Sequence, residues 1–172
     1  GDSPMSSVLK VDAIQNTAGT SGLTIDSSGR ISRSVMPYIY LRGTVAGEAT
    51  SHGTTETYTD WAIEGSALGG MTWNSSNGRI TVPIDGIYLI AAKFYFWINN
   101  AAEHGVMAQK NGTTFQEYFT DLADVGNAGR TDHTVTVSEA LKLNANDYIS
   151  FSCAGDIYGG SNHTNCQMVM IG

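Results

Sequence analysis

Residues 73–98 read WNSSNGRITVPIDGIYLIAAKFYFWI, and the fold follows from how that stretch divides. Asn74 to Gly78 makes a turn, because Asn and Gly tolerate positive φ, and Arg79 to Val82 leaves it as a strand. Pro83 has no N–H to give a ladder, so pairing stops there and Asp85-Gly86 turns the chain again. From Ile87 onward successive side chains point to opposite faces of a strand. Tyr88, Ile90, Ala92, Phe94, Phe96 and Ile98 form one face, apolar except for a phenol, and fit a core. Ile87, Leu89, Ala91, Lys93, Tyr95 and Trp97 form the other, apolar but for Lys93. An antiparallel sandwich ordinarily leaves one sheet face wet. A second dry face needs cover, from a neighbouring copy of the chain or from a loop of the same chain. We expect the neighbouring copy, with Leu89, Tyr95 and Trp97 at a subunit interface, because burying one more aromatic is worth about 2 kcal/mol and symmetry multiplies the gain.

Composition points the same way. The chain has 172 residues, 41% of them hydrophobic, enough for one core and a small appendage. Only 15% are charged and 20 are Gly, as expected of short strands joined by tight turns, and no window sustains a 3.6-residue apolar period. Besides the segments above, Tyr38 to Val45, Thr57 to Ile63, Gly105 to Lys110, Thr113 to Phe119, Asp132 to Leu143, Asp147 to Cys153 and Cys166 to Ile171 read as strands. No helical crossovers separate them, so residues 36–172 are predicted to form an all-β, antiparallel domain of eight or so strands, a β-sandwich or jelly roll; the resemblance described below implies the jelly-roll β-sandwich, with up to ten strands.

Residues 1–35 read differently. Gly1-Asp2-Ser3-Pro4 ahead of Met5 looks like an expression leftover before a native start. Short β-type runs follow at Val8 to Ile14, Leu23 to Ile25 and Arg30 to Ser32, with turn clusters at Thr17 to Gly22 and Asp26 to Gly29. Val8, Val11, Ile14, Leu23, Ile25 and Ile31 cannot build a self-sufficient core. The segment is therefore expected to be a β-rich stem or anchor, covered by copies of itself or docked on a partner; a flexible tail is the alternative. Pro37 suits the joint to the larger domain.

Nine Lys and Arg against 16 Asp and Glu give a net charge of -7, and the cations are scattered, which argues against a nucleic-acid partner. No apolar run approaches the roughly 20 residues that span a bilayer, so no membrane insertion is expected. Cys153 and Cys166 flank the loop 154–165, either as a disulfide across a hairpin or as two buried free thiols. Glycosylation acceptor patterns begin at Asn74, Asn111 and Asn162 and matter only in a secretory pathway.

No catalytic signature is present, neither Gly-x-Ser-x-Gly nor His-Glu-x-x-His nor a phosphate loop, and no enzyme or cofactor is expected. His52, His104, His133 and His163 all read as lying near turns, and the Glu103-His104 and Asp132-His133 neighbours point oppositely in a strand. Asp121, Asp124, Asn127 and Asp132 gather hard oxygen donors around one loop and are weak calcium candidates, against the plainer reading of solvated turn carboxylates. Ligand contact is expected on outward loops at 99–103, 121–131 and 154–164. In the last, Tyr158, Asn162 and His163 combine an aromatic face with amide and imidazole groups suited to a sugar, a set that a plain turn equally contains.

The stretch from Trp73 to Ile90 resembles the signature of the complement globular-head and tumour-necrosis-factor-like jelly roll: aromatic-Asn, a turn Gly, then Val-Pro-x-x-Gly-x-Tyr. QKNG at 109–112 and LKLNANDYI at 141–149 are similar to later landmarks of that family, with Asn146 where Gly is usual. The resemblance covers about residues 36–172 and implies a tight homotrimer with strands near the axis and loops outward. The Met-rich last strand, with Met168 and Met170, departs from the pattern at the axis. LKVDAIQNTAGTSGLTIDSSGRI, residues 9–31, resembles the module that opens tail-fibre and other virion fibre proteins of marine bacteriophages. Together they imply a trimeric protein on the surface of a phage virion, attached to other virion proteins by its N-terminal segment and binding a glycan or protein on the host. A capsid fibre or decoration protein, a secreted ligand of tumour-necrosis-factor or lectin type, and a polysaccharide-degrading spike are the alternatives.

Overall fold

The computed structural model describes residues 11–15, 17, 21–33, 36–44, 49–98, 103–121, 131–160 and 162–172, and the chain divides into two units between Met36 and Pro37. The first unit is an antiparallel meander of β1 (Ala13–Gln15), β2 (Ser21–Ile25) and β3 (Ile31–Arg33). Ile14 pairs with Leu23, two residues before Ile25, so these three aliphatic residues share one face, on which Ile14 remains 57% exposed. Asp26 shapes the second turn: its carboxylate accepts the N–H groups of Ser28 and Arg30, at 2.9 and 3.0 Å, and the Arg30 guanidinium at 2.7 Å. Those donors hold its carboxyl below the usual range, the Arg30 N–H contributing most.

The second unit contains β4 (Tyr38–Gly43), β5 (Ala49–Thr57), β6 (Trp61–Ile63), β7 (Thr72–Asn74), β8 (Arg79–Thr81), β9 (Gly86–Ile98), β10 (Glu103–Lys110), β11 (Thr113–Asp121), β12 (Thr131–Leu143), β13 (Tyr148–Tyr158) and β14 (Asn165–Met170). It is an all-β, antiparallel jelly roll. One layer runs β12-β9-β14-β4-β6. The other runs β11-β10-β13, with β5 and β8 sharing the far edge of β13 and β7 beyond β8. The layers meet where Ile157 bridges Phe96.

The alternation read in β9 is realised. Tyr88, Ile90, Phe94 and Phe96 are 0% exposed and Ala92 5%, while Leu89, Ala91, Lys93, Tyr95 and Trp97 are half-buried. Between the layers the rings of Phe94 and Phe151 lie 5.4 Å apart, and Trp61 stands 5.3 Å from both and 4.9 Å from Tyr58. Trp73 lies outside this group and is tied to it, its indole N–H donating to the Trp61 carbonyl at 3.1 Å. Gly105 has no side chain because the Phe119 ring lies over it, 2.3 Å from where a Cβ would stand.

Three expectations need correcting. The predicted strand from Thr57 to Ile63 is two, because the chain crosses between layers at Tyr58 to Asp60, leaving β5 on β13 and β6 on β4. The predicted loop at 154–164 begins only after Tyr158: Gly155 does not end the strand but sits at a bulge, φ +98°, where the His104 ring fills the space of a side chain. His52, His104 and His133 lie in strands, and only His163 lies in a turn. Ala49 to Glu56, in β5, carried no apolar alternation to announce it.

Candidate functional site

The strand registers lay out the outward face of the β12-β9-β14-β4-β6 layer row by row. One row reads Ala140, Leu89, Val169, Tyr38 and then Leu68, which bridges Tyr38. Ile87, 44% exposed, and Ile171, 51% exposed, extend it at the same end, where the N–H of Ile171 donates to the carbonyl of Ile87. Polar rows follow: Ser138, Ala91, Gln167 and Tyr40, then Thr136, Lys93, Asn165 and Arg42, with Arg42 ion-paired to Glu64. At the opposite end stand Tyr95 and Trp97, facing Thr134 and Asp132 of β12.

Tyr95 and Trp97 meet the sequence's sugar-binding candidates there. Tyr158 lies 5.3 Å from Trp97, 6.1 Å from Tyr95 and 4.7 Å from His163, and Tyr95 lies 5.0 Å from His163, ring centre to ring centre. Residues expected in two roles thus form one aromatic cluster. Tyr95 and Trp97 draw part of their cover from the chain's own turn, whereas Leu89, eight residues before Trp97 and so about 26 Å away along the strand, belongs to the aliphatic row.

Hydrogen bonds fix that turn. The Thr164 hydroxyl, fully buried, donates to the Tyr158 carbonyl at 2.9 Å and accepts the Tyr95 N–H at 3.2 Å. The N–H groups of His163 and Thr164 both reach the Gly160 carbonyl, and the Lys93 ammonium donates to the Asn162 carbonyl at 2.8 Å. Gly43 and Gly159 touch backbone to backbone, and a Cβ at Gly43 would stand 1.8 Å from the Gly159 oxygen. The lone charge on the second face of β9 therefore anchors a loop. Sequence reasoning missed Thr164, Tyr38 and Val169, although Tyr38-Ile39-Tyr40-Leu41 shows the same two-faced pattern as β9.

Of the calcium candidates, Asp124 and Asn127 lie outside the described residues, as does the side chain of Asp121, and Asp132 is exposed on β12. Among the described residues no group of three or more His, Cys, Asp or Glu could hold a metal. The expected ligand loops at 99–103 and 121–131 also lie largely outside them.

Cys153 and Cys166 are free and fully buried, on strands of opposite layers, and burial pushes both thiols up. Neither is expected to react with an aromatic disulfide reagent at pH 8 until the protein is denatured, when both should titrate.

Asp147 anchors the turn before β13. Its carboxylate accepts the Asn111 amide at 2.7 Å, the Asn144 N–H at 2.8 Å and the Lys110 ammonium at 3.0 Å. Asn146 takes φ +71° there, the conformation its replacement of Gly requires. Those donors, the Asn111 amide foremost, lower the Asp147 pKa from 3.8 to about 2. A depressed carboxylate stabilises the fold above its unfolded pKa and loses that contribution as pH falls through the folded one. The thermal midpoint should therefore drop between pH 4 and pH 2, and Asp147→Asn should flatten that fall. The same bond commits the side-chain nitrogen of the Asn111 acceptor pattern.

No family model matches the chain, and no curated protein matches it. Among solved structures the chain is similar to one described as Eiger TNF from S. frugiperda, with a TM-score of 0.66 and 14% identity over 80% of this chain and 94% of that one. At that identity the likeness establishes a shared tumour-necrosis-factor-like jelly roll.

Proposed function

We propose that the protein is a homotrimeric, non-enzymatic virion protein of the tail-fibre or receptor-binding knob type, carried on a phage particle by its N-terminal segment and displaying loops to the host surface. One observation carries the assembly: the row of Leu68, Tyr38, Val169, Leu89 and Ala140 crosses the layer, continues into Ile87 and Ile171, and is left half-buried or exposed. A contiguous apolar patch of this kind marks a protein contact. A closed ring of three is what the resemblance of residues 36–172 to the complement globular-head and tumour-necrosis-factor-like jelly roll implies. The virion setting rests on the resemblance of residues 9–31 to phage fibre modules. Three sites on one rigid head raise avidity without new contacts.

The decisive measurement is mass by light scattering on the full chain and on a chain beginning at Pro37, with retention on host cells compared against purified capsids. Three copies with retention on cells is the expected result. A stable monomer at micromolar concentration would sink the knob. Saturable binding to capsids alone would mean a decoration protein, and release of reducing ends from host polysaccharide would mean a spike enzyme. A secreted ligand is the reading that the Eiger likeness favours. Its test is carbohydrate on Asn74, Asn111 or Asn162 in the native source, and the engaged amide of Asn111 bears against it.

A further inference from the structure

We infer that the cluster of Tyr95, Trp97, Tyr158 and His163, with Asn162 at its rim, binds an uncharged pyranose of a surface polysaccharide; the inference names the ligand class for the recognition role proposed above and rests on that role. A pyranose presents an apolar C–H face and a ring of hydroxyls, so its site needs an aromatic surface bordered by hydrogen-bonding groups. Trp97 and Tyr158 supply the surface, their rings 5.3 Å apart and inclined by 36°, both half-buried, with the edge of His163 against Tyr158 at 4.7 Å. Asn162 and Thr134, both exposed, stand at the border.

The cluster is built before any ligand arrives. Thr164 ties the carbonyl of Tyr158 to the N–H of Tyr95, and Lys93 holds the Asn162 carbonyl, so the backbone that carries the rings and the rim residue is already fixed. Preorganisation of this kind removes the ordering cost that weakens binding of a small polar ligand.

Charge selects among sugars. Lys93, the cation nearest the cluster on β9, donates a hydrogen bond to a backbone carbonyl, while Asp132 stands opposite Trp97. A carboxylated or sulfated sugar on the Trp97 ring would lie beside the Asp132 carboxylate, while the Lys93 ammonium, four residues back along the strand, keeps its charge and is directed at the Asn162 carbonyl. A neutral hexose or N-acetylhexosamine meets no such penalty. A neighbouring subunit is the competing occupant, but the aliphatic row about 26 Å away along β9 is the better protein contact, because apart from the Tyr38 hydroxyl its side chains are apolar.

The test titrates the full chain with methyl glycosides of glucose, galactose, mannose and N-acetylglucosamine, and with sialyllactose as the anionic control, following tryptophan fluorescence and calorimetric heat. Saturable binding of at least one neutral glycoside is expected, with Kd on the order of 1 mM, and none of sialyllactose. Trp97→Ala should abolish it, and Asn162→Ala, an exposed change that leaves the core alone, should weaken it about tenfold, the worth of one hydrogen bond. Both variants should keep the wild-type mass. Absence of saturable binding to every neutral glycoside, tighter binding of sialyllactose, or binding that ignores both substitutions overturns the site. So does a fall in mass in either variant, which would assign the cluster to a subunit contact. A monomer that binds the sugar keeps the site and loses the multivalent knob; a trimer that binds none loses the site and keeps the assembly.

Discussion

Leu89→Asp should yield a folded protein that does not form the proposed assembly. Leu89 stands in the middle of the aliphatic row with Val169 and Ala140 beside it, and its side chain points away from the core. The substitution should therefore leave the packing of Phe94 and Trp61 undisturbed. Loss of one buried leucine is worth about 2 kcal/mol per copy and about 6 kcal/mol over three, some four orders of magnitude in the assembly constant before the cost of burying three carboxylates. Light scattering at micromolar concentration should give the mass of one chain, with near-ultraviolet circular dichroism unchanged. Retention of the assembled mass would show that another surface joins the subunits.

The second large effect falls on the interior. Phe94→Ala should destabilise the larger unit by about 3–5 kcal/mol, read from the midpoint of a urea transition at constant slope. Its ring is fully buried and lies 5.3 to 5.6 Å from those of Trp61, Phe151 and Tyr58. The three aromatic side chains left around it cannot close over the void with small adjustments, as a set of aliphatic ones would be repacked to do. Trp97→Ala, three residues along the same strand on the opposite face, should cost much less. That contrast between two aromatics of β9 measures the two-faced reading directly.

Much of the fold was legible because β9 states its geometry in its own residues: thirteen positions from Gly86 to Ile98 alternate without a break, and Pro83 and Gly86 mark where the strand must begin. Asn146 was legible as a turn residue for the same local reason, a side chain that tolerates positive φ. What escaped depended on partners distant in sequence. Ala49 to Glu56 is a strand by virtue of the edge of β13, and no periodicity of its own records that. Gly155 looked like turn punctuation, yet what demands a glycine is the imidazole of His104, which comes from another strand. The candidate site divided likewise. Tyr158, Asn162 and His163 could be picked out by type, and Tyr95 and Trp97 by alternation, but only the packing of the 158–164 turn on β9 brings the two sets together.

The direction of β4 has a mechanical meaning. Met36 leads into Tyr38, which lies level with Val169 and Leu89, while the aromatic cluster sits at the far end of the same layer. A tether pulling at Met36 against a load held at that far end draws β4 lengthwise between β14 and β6. Its ladder rungs run crosswise to such a pull, so those to Asn165 through Val169 and to Trp61 through Ile63 share the tension together instead of parting one after another. A pull along that line would meet the ladder in shear and not in the unzipping direction.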